Sequence, residues 1–310
     1  MNRQHVVCMD LGGTNVRMGI VDSRGRVISR WRLKMPKPAS KSDLCDWLGT
    51  VIAEFVGRNR DVARPASAAI GFAGPSNSQA GLVYYAPNVG RFTHIDVARR
   101  LEPKLRMPVV VENDANCAAL GEFWRGRGRG ARSFFLFTLG TGIGGSFVLD
   151  GRVWHGEHGI AGEIGHTIVM AGGPRCSCGR LGCLEAMVSA TAIVRDYRDA
   201  AGRRAGATGA LTAKAVVDLA KQGDRTARSV VAQSAKALGI GIANVFHLLN
   251  PELILIGGGV SRAGSFLIKP AVEEARSLVF PPLRAKVKVK RTALGDDAGI
   301  LGAAYLALQR

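Results

Sequence analysis

No apolar run in this chain approaches the roughly 20 residues that a bilayer-spanning helix needs, so no membrane span is expected. The N-terminus, Met1-Asn2-Arg3-Gln4-His5, leads into a short strand and lacks the apolar core of a secretory signal. A cytoplasmic protein is expected. Linkers and low-complexity segments are missing too. No Gly-Lys-Ser/Thr occurs, which excludes a Walker A loop. No Gly-x-Gly-x-x-Gly joins a strand to a helix with an acid beyond it, which excludes a dinucleotide fingerprint. Acids are scarce: 24 Asp and Glu stand against 42 Lys and Arg, a net charge of +18. That balance fits nucleic acid, an acidic membrane or an anionic small molecule such as ATP. The basic run Arg125-Gly126-Arg127-Gly128-Arg129-Gly130 has no interleaved aromatics to stack on bases. It reads as a solvated loop between a helix and a strand, and no nucleic-acid partner is expected.

What is present is a long chain, rich in turns. At 310 residues, with 47% hydrophobic residues and 40 glycines, it suits two lobes packed together. Val6–Met9 reads as a strand, Val16–Val21 as a second, and Asp22-Ser23-Arg24-Gly25 as a hairpin turn into Val27–Trp31. Asp43–Val56 has helical spacing with Ser42 as its cap. Ala68–Phe72 and Pro108–Val111 are buried strands, and Ala115–Trp124 is a helix. Phe134–Thr138 then repeats the opening theme of strand, glycine turn and strand (Ser146–Leu149), ending in Asp150-Gly151-Arg152-Val153. The halves read as divergent copies of one unit. Thr226–Leu249 is a long helix stopping before Pro251, and its Gly239-Ile240-Gly241 marks close helix packing. Glu252–Ile256 is a strand, Gly264 and Ser265 open a helix, Lys286–Lys290 is a half-exposed strand, and Asp297–Leu308 is a terminal helix. Strands alternating with helices give an α/β fold.

Three glycine turns each follow an apolar strand: Asp10-Leu11-Gly12-Gly13-Thr14-Asn15, Gly140-Thr141-Gly142-Ile143-Gly144-Gly145 and Gly257-Gly258-Gly259. Glycines let backbone N–H groups approach phosphate oxygens, Thr14 and Asn15 add donors, and Asp10 adds a carboxylate for hydrated Mg²⁺. Glu112-Asn113-Asp114 lies at the end of a strand, where ligands of open α/β sheets bind. Asp114 there is either the cap of the helix at Ala115 or a general base. His166 with Cys176, Cys178 and Cys183 supplies one nitrogen and three sulfurs, the donor set of a closed structural zinc site. Cys8, Cys45 and Cys117 read as core residues.

These motifs, with Glu163-Ile164-Gly165-His166 and Cys176-x-Cys178-Gly179-x-x-Gly182-Cys183-x-Glu185, resemble the ROK family (repressors, open reading frames, kinases) over nearly the whole chain. The resemblance implies a duplicated actin-like ATPase fold of the hexokinase type, with two lobes and a central cleft. It divides the chain into 1–114 with 296–310, and 115–295. It implies ATP-dependent phosphorylation of a hexose 6-hydroxyl with Asp114 as base. It places Gly74, Asn88, Asn113, Asp114, Glu163, His166 and Glu185 with the sugar, His166 serving zinc as well, and it implies a homodimer. Asn88 is followed by Val89-Gly90-Arg91-Phe92, where many glucokinases of the family carry Trp. That departure leaves the sugar less fixed than the kinase activity: glucose leads, with N-acetylmannosamine, N-acetylglucosamine, mannose, fructose and allose as alternatives, and a non-catalytic sugar-responsive regulator as the second class. Repressors of the family carry a helix-turn-helix ahead of the first motif, which at Asp10 leaves no room for one.

Overall fold

The computed structural model describes residues 4–86, 89–202 and 211–310. The chain forms two compact units. The first comprises Met1–Gly130, Phe147–Ala161 and Ala293–Arg310; the second comprises Ala131–Ser146 and Gly162–Thr292.

The first unit is built on β1 (His5–Leu11), β2 (Asn15–Asp22), β3 (Val27–Lys34), α1 (Lys41–Arg58), β4 (Pro65–Phe72), the short strands β5 (Ser76–Asn77), β6 (Leu82–Ala86) and β7 (Phe92–Asp96), α2 (Val97–Leu105), β8 (Val109–Asn113) and α3 (Asp114–Arg125). The main sheet runs β3-β2-β1-β4-β8. β2 is antiparallel to β1, while β4 and β8 are parallel to it and to each other. Strand side chains alternate between faces. Val7, Met9 and Leu11 pack with Leu44, Leu48, Ile52 and Phe55 of α1. Val6 and Cys8 pack with Cys117 of α3 and with Ile300, Leu301 and Ala304 of the terminal helix Ala298–Leu308. Asp10 shares that second face, and a Cβ on Gly299 would sit 2.9 Å from its Cγ.

α3 and the terminal helix touch backbone to backbone. A Cβ on Gly302 would fall 1.6 Å from the Cys117 carbonyl oxygen, and one on Gly121 2.2 Å from that of Ala298. This contact keeps residues 115–130 with the first unit, whereas the division expected from sequence places them in the second lobe.

The second unit carries β9 (Ser133–Leu139) and β10 (Ile143–Leu149), whose last residues, from 147, belong to the first unit and pair there with β11 (Arg152–Val153). It continues with α4 (Glu185–Val188), α5 (Ala190–Ala201), α6 (Ala213–Gln222), α7 (Arg225–Leu249), β12 (Leu253–Gly257), α8 (Ser265–Leu278) and β13 (Val289–Arg291). The second sheet, β11-β10-β9-β12-β13, has the strand order of the first: third, second, first, fourth, fifth. β12 is parallel to β9, and β13 to β12. The repeated order supports the duplication read from the two glycine turns.

Among the described residues α7 is the one helix long and apolar enough to cross a membrane, but 67% of its apolar window is buried inside the protein. Its Gly239 lies against α8, where a Cβ would meet the Ala271 carbonyl oxygen at 2.7 Å, as close packing requires. Cys8, Cys45 and Cys117 are buried core residues.

Three local expectations change. The α1 cap is Ser40, not Ser42: Ser40 is extended and its Oγ accepts from the Asp43 N–H at 3.1 Å. The Lys286–Lys290 segment is a strand only from Val289, because Pro281-Pro282 start a 3-10 turn reaching Lys286. α3 begins at Asp114, one residue earlier than expected.

Candidate active site

The first unit gathers residues at the carboxyl ends of β1, β4 and β8. After β1 the chain turns at Gly12, whose N–H donates to the Asn15 carbonyl at 3.1 Å, and Gly13, Thr14 and Asn15 are exposed. Asp10 lies beneath this turn. Its Oδ2 accepts from Arg17 Nη1 at 3.1 Å, and Arg17 also reaches Asp296 at 3.3 Å. Burial raises the Asp10 pKa, Arg17 opposes that rise, and Asp296 adds to it.

At the end of β8 the cap of α3 is Asn113. Its Oδ1 accepts from the N–H groups of Ala115 (2.9 Å) and Asn116 (3.2 Å). Its Nδ2 donates to the Gly74 carbonyl at 3.1 Å, so the structure brings Asn113 and Gly74 together. Asp114 is the first helical residue, half-buried, with Oδ1 2.9 Å from its neighbour's N–H at Ala115. Asn88 lies outside the described residues.

In the second unit the glycine turns after β9 and β12 are neighbours. Gly258 has φ +84, and any Cβ on it would meet the Leu139 carbonyl oxygen at 2.4 Å. Gly259 faces open space, with no atom near its Cβ position. The turn Gly140-Thr141-Gly142 is tied to the start of α5. Ala190 N–H donates to the Gly140 carbonyl at 2.9 Å and Thr191 Oγ1 to that of Thr141 at 3.0 Å. Gly144, expected in the turn, lies within β10.

Glu185 joins this turn to the cysteine segment. Its Oε2 accepts from the Ile143 N–H at 3.0 Å, and its Oε1 from Ser177 Oγ at 2.7 Å. Glu163 precedes the 3-10 turn Ile164–His166, and its Oε2 lies 4.0 Å from His166 Nε2. Burial raises the Glu163 pKa, His166 opposes that rise, and Glu185 reinforces it.

The four sulfur and nitrogen donors converge. His166, Cys176, Cys178 and Cys183 each offer a ligand atom, all within 4.8 Å of one another. Tetrahedral zinc, with bonds of about 2.3 Å to sulfur and 2.0–2.1 Å to nitrogen, requires about 3.8 Å between two sulfurs and about 3.6 Å between sulfur and nitrogen. The observed separations are 3.7 Å for Cys178 and Cys183, and 3.6 Å for Cys176 Sγ and His166 Nδ1. His166 thus presents Nδ1 to the cluster and Nε2 to Glu163. Burial raises the Cys176 thiol, and burial with its neighbour thiols pushes Cys183 up to about 12. Burial also acts upward on Cys178, but the Arg180 N–H and the two other thiols bring it down to about 7. Zinc would displace the thiol protons on binding.

Residues 6–310 match the ROK family. The chain belongs to that family. The ROK assignment is reinforced by a glucokinase from Halalkalibacterium halodurans, 37% identical over all of this chain and 97% of its own length. A glucokinase from Thermotoga maritima is 35% identical over all of this chain and 99% of its own length. Among solved structures, a ROK family glucokinase from Streptomyces griseus in complex with glucose and AMPPNP aligns with a TM-score of 0.85 and 31% identity, covering 99% of this chain and 100% of that one. This ROK chain therefore has the actin-like ATPase fold.

The ROK motif that contains Glu112 gives it no role, and Glu122 lies outside the motifs. Glu112, only 1% exposed, bonds His155 from a segment 43 residues away. Glu122, fully buried, accepts from the N–H groups of Arg127, Ala293 and Leu294 at 2.8–2.9 Å. No local spacing announces such partners. A buried carboxylate beside the Asn113-Asp114 pair was the one available signal.

Proposed function

We propose that this chain is an ATP-dependent hexose kinase that phosphorylates the 6-hydroxyl, with glucose as its sugar. One observation carries the role of Asp114: the cap of α3 is Asn113, so the alternative duty foreseen for Asp114 is already filled. What remains is a half-buried carboxylate at the carboxyl end of a parallel strand, where α/β sheets place their ligands.

In the reaction the sugar hydroxyl oxygen attacks the γ-phosphorus in line, the bond to the β,γ-bridging oxygen breaks, and ADP leaves. Asp114 accepts the hydroxyl proton and passes it to solvent. The family resemblance assigns the sugar to Gly74, Asn88, Asn113, Asp114, Glu163, His166 and Glu185. Asn113 has one amide hydrogen beyond the bond to Gly74 with which to orient a hydroxyl. The turns that carry Gly12, Gly13, Thr14 and Asn15, Gly140, Thr141, Gly142 and Gly144, and Gly257, Gly258 and Gly259 are assigned to the nucleotide phosphates, with Gly13, Thr14, Thr141, Gly258 and Gly259 exposed there and the Gly12 and Gly140 N–H groups already committed to backbone carbonyls. Asp10 would hold hydrated Mg²⁺, which when bound neutralises phosphate charge. Zinc held by His166, Cys176, Cys178 and Cys183 would be structural, since four protein donors leave no open position. The fixed Nδ1 orients His166 so that Nε2 serves the sugar. A cytoplasmic homodimer completes the reading.

The deciding experiment is a coupled assay with ATP and Mg²⁺ over a panel of hexoses, run on the natural sequence and on Asp114→Asn. Glucose should be turned over fastest. The amide variant should bind sugar yet lose about 10²–10⁴ in kcat, the range of general-base catalysis. Comparable kcat in the variant would remove Asp114 from the chemistry.

A further inference from the structure

Glu112 is a buried carboxylate that the proposed mechanism does not use. It is 1% exposed and immediately precedes Asn113 and Asp114. Its Oε1 accepts from the Asn113 backbone N–H at 2.8 Å and from Asn116 Nδ2 at 2.9 Å. Those two bonds clamp the end of β8 to the first turn of α3, the stretch that carries Asp114. Its Oε2 lies 2.7 Å from His155 Nε2.

A buried carboxylate is costly unless paired, and it distorts its surroundings when its partner is removed. His155 is the partner in this structure. The hydrogen bond to Glu112 raises the His155 pKa, burial opposes the rise, and the Glu112 charge adds to it. His155 is itself held in place: its carbonyl accepts the Ala161 N–H at 2.9 Å, closing a turn in which Gly156 has φ +67. Its side chain is 33% exposed, so it reaches Glu112 from the surface of the first unit.

We propose that His155 is a positioning residue for the phosphoryl transfer, acting through Glu112 to fix the Asn113-Asp114 turn. The proposal rests on the reading of Asp114 as base. With His155 Nε2 in place, and its charged form favoured by the carboxylate beside it, Glu112 keeps both oxygens committed and the turn has one arrangement. Without it, the buried carboxylate must find another donor or admit water. Either response pulls on the Asn113 N–H and on the Asn116 amide, and so on the carboxylate between them. Misplacement of a reacting group by about 1 Å costs up to about a hundredfold in rate.

The test is a charge-balance rescue, measured with ATP, Mg²⁺ and the fastest hexose of the panel. His155→Gln should lower kcat by about tenfold to a hundredfold with the sugar KM little changed. The double variant Glu112→Gln/His155→Gln should recover most of that loss. The amide at 112 can still accept from Asn113 and Asn116, and its NH₂ can donate to the amide at 155, with no buried charge left over. Thermal melting is recorded for both variants, below whose transitions the rates are compared. Wild-type kcat in His155→Gln, or a folded double variant no faster than the single, would overturn the proposal. Asp114→Asn is run in parallel. If it is inactive while His155→Gln is normal, only the positioning role falls; if it retains wild-type kcat, the base assignment falls.

Discussion

Gly142 is where the glycine turn and the cysteine segment can be separated by one methyl group. A Cβ there would lie 2.4 Å from Glu185 Oε2, the oxygen that accepts the Ile143 N–H at 3.0 Å. To reach ordinary van der Waals distance the oxygen must retreat by about 1 Å. Its partner oxygen is held by Ser177 Oγ at 2.7 Å, so the carboxylate cannot simply swing away. The backbone at Gly142 is outside the left-handed region, so alanine there tests space and not strain. Losing a hydrogen bond to a charged acceptor costs about 1.5–3 kcal/mol. Expressed in transition-state stabilisation, that is about tenfold to a hundredfold in kcat/KM for ATP. Gly142→Ala should show this loss in steady-state assays with ATP varied at saturating sugar, with bound metal unchanged. Gly140→Ala, whose Cβ would meet only the Gly142 carbonyl oxygen at an ordinary 3.8 Å, measures what a methyl in this turn costs without moving Glu185, and the loss in Gly142→Ala should exceed it. Wild-type kcat/KM for ATP in Gly142→Ala would refute the link between Glu185 and the nucleotide turn.

Gly259→Ala should leave the melting temperature unchanged, because nothing in the protein lies near the added methyl group, yet raise the KM for ATP. An unchanged KM would move the phosphate elsewhere. Protein purified without added zinc should contain one zinc per chain, and Cys178→Ser should lower both metal content and melting temperature. Full stability in metal-free protein would dismiss a structural zinc site. Glu122→Ala removes the charged acceptor of three backbone N–H groups, a kind of bond worth about 1.5–3 kcal/mol each where it is fully shielded from water, whereas Glu122→Gln should lose only the bond to Arg127. Equal melting of the two variants, read by thermal denaturation, would contradict that account.

Much of the site was legible because its signals are local. Glycines follow apolar strands wherever the backbone must turn tightly, and thiols within eight positions can meet around one ion without help from distant elements. The Asn113 and Asp114 roles were less legible: either could cap a helix, and only the backbone decides that Asn113 stands at the cap position with extended φ and ψ. The contact between α3 and the terminal helix was not legible for the same reason. Gly121 and Gly302 read as ordinary helix glycines until the terminal helix is seen against α3, where each removes a methyl group that would strike a carbonyl. His155 and Glu112 could not be paired from sequence, since 43 residues and a change of unit and back separate them along the chain.

Four of the scarce acids hold turns and strand ends. Asp22 accepts the N–H groups of Arg24 and Arg26 in the first hairpin turn, Glu112 clamps the end of β8, Glu122 holds residues 293 and 294, and Glu185 holds the start of β10. Each carboxylate satisfies backbone donors that would otherwise be unpaired at a turn or strand end. These four are committed to backbone donors, while other acids, such as Asp61, and many of the arginines and lysines stay on the surface. The net charge of +18 is the excess of 42 Lys and Arg over 24 Asp and Glu. Its physical consequence is a positive field that raises the local concentration of a tetra-anionic nucleotide, an effect that weakens as salt shortens the screening length.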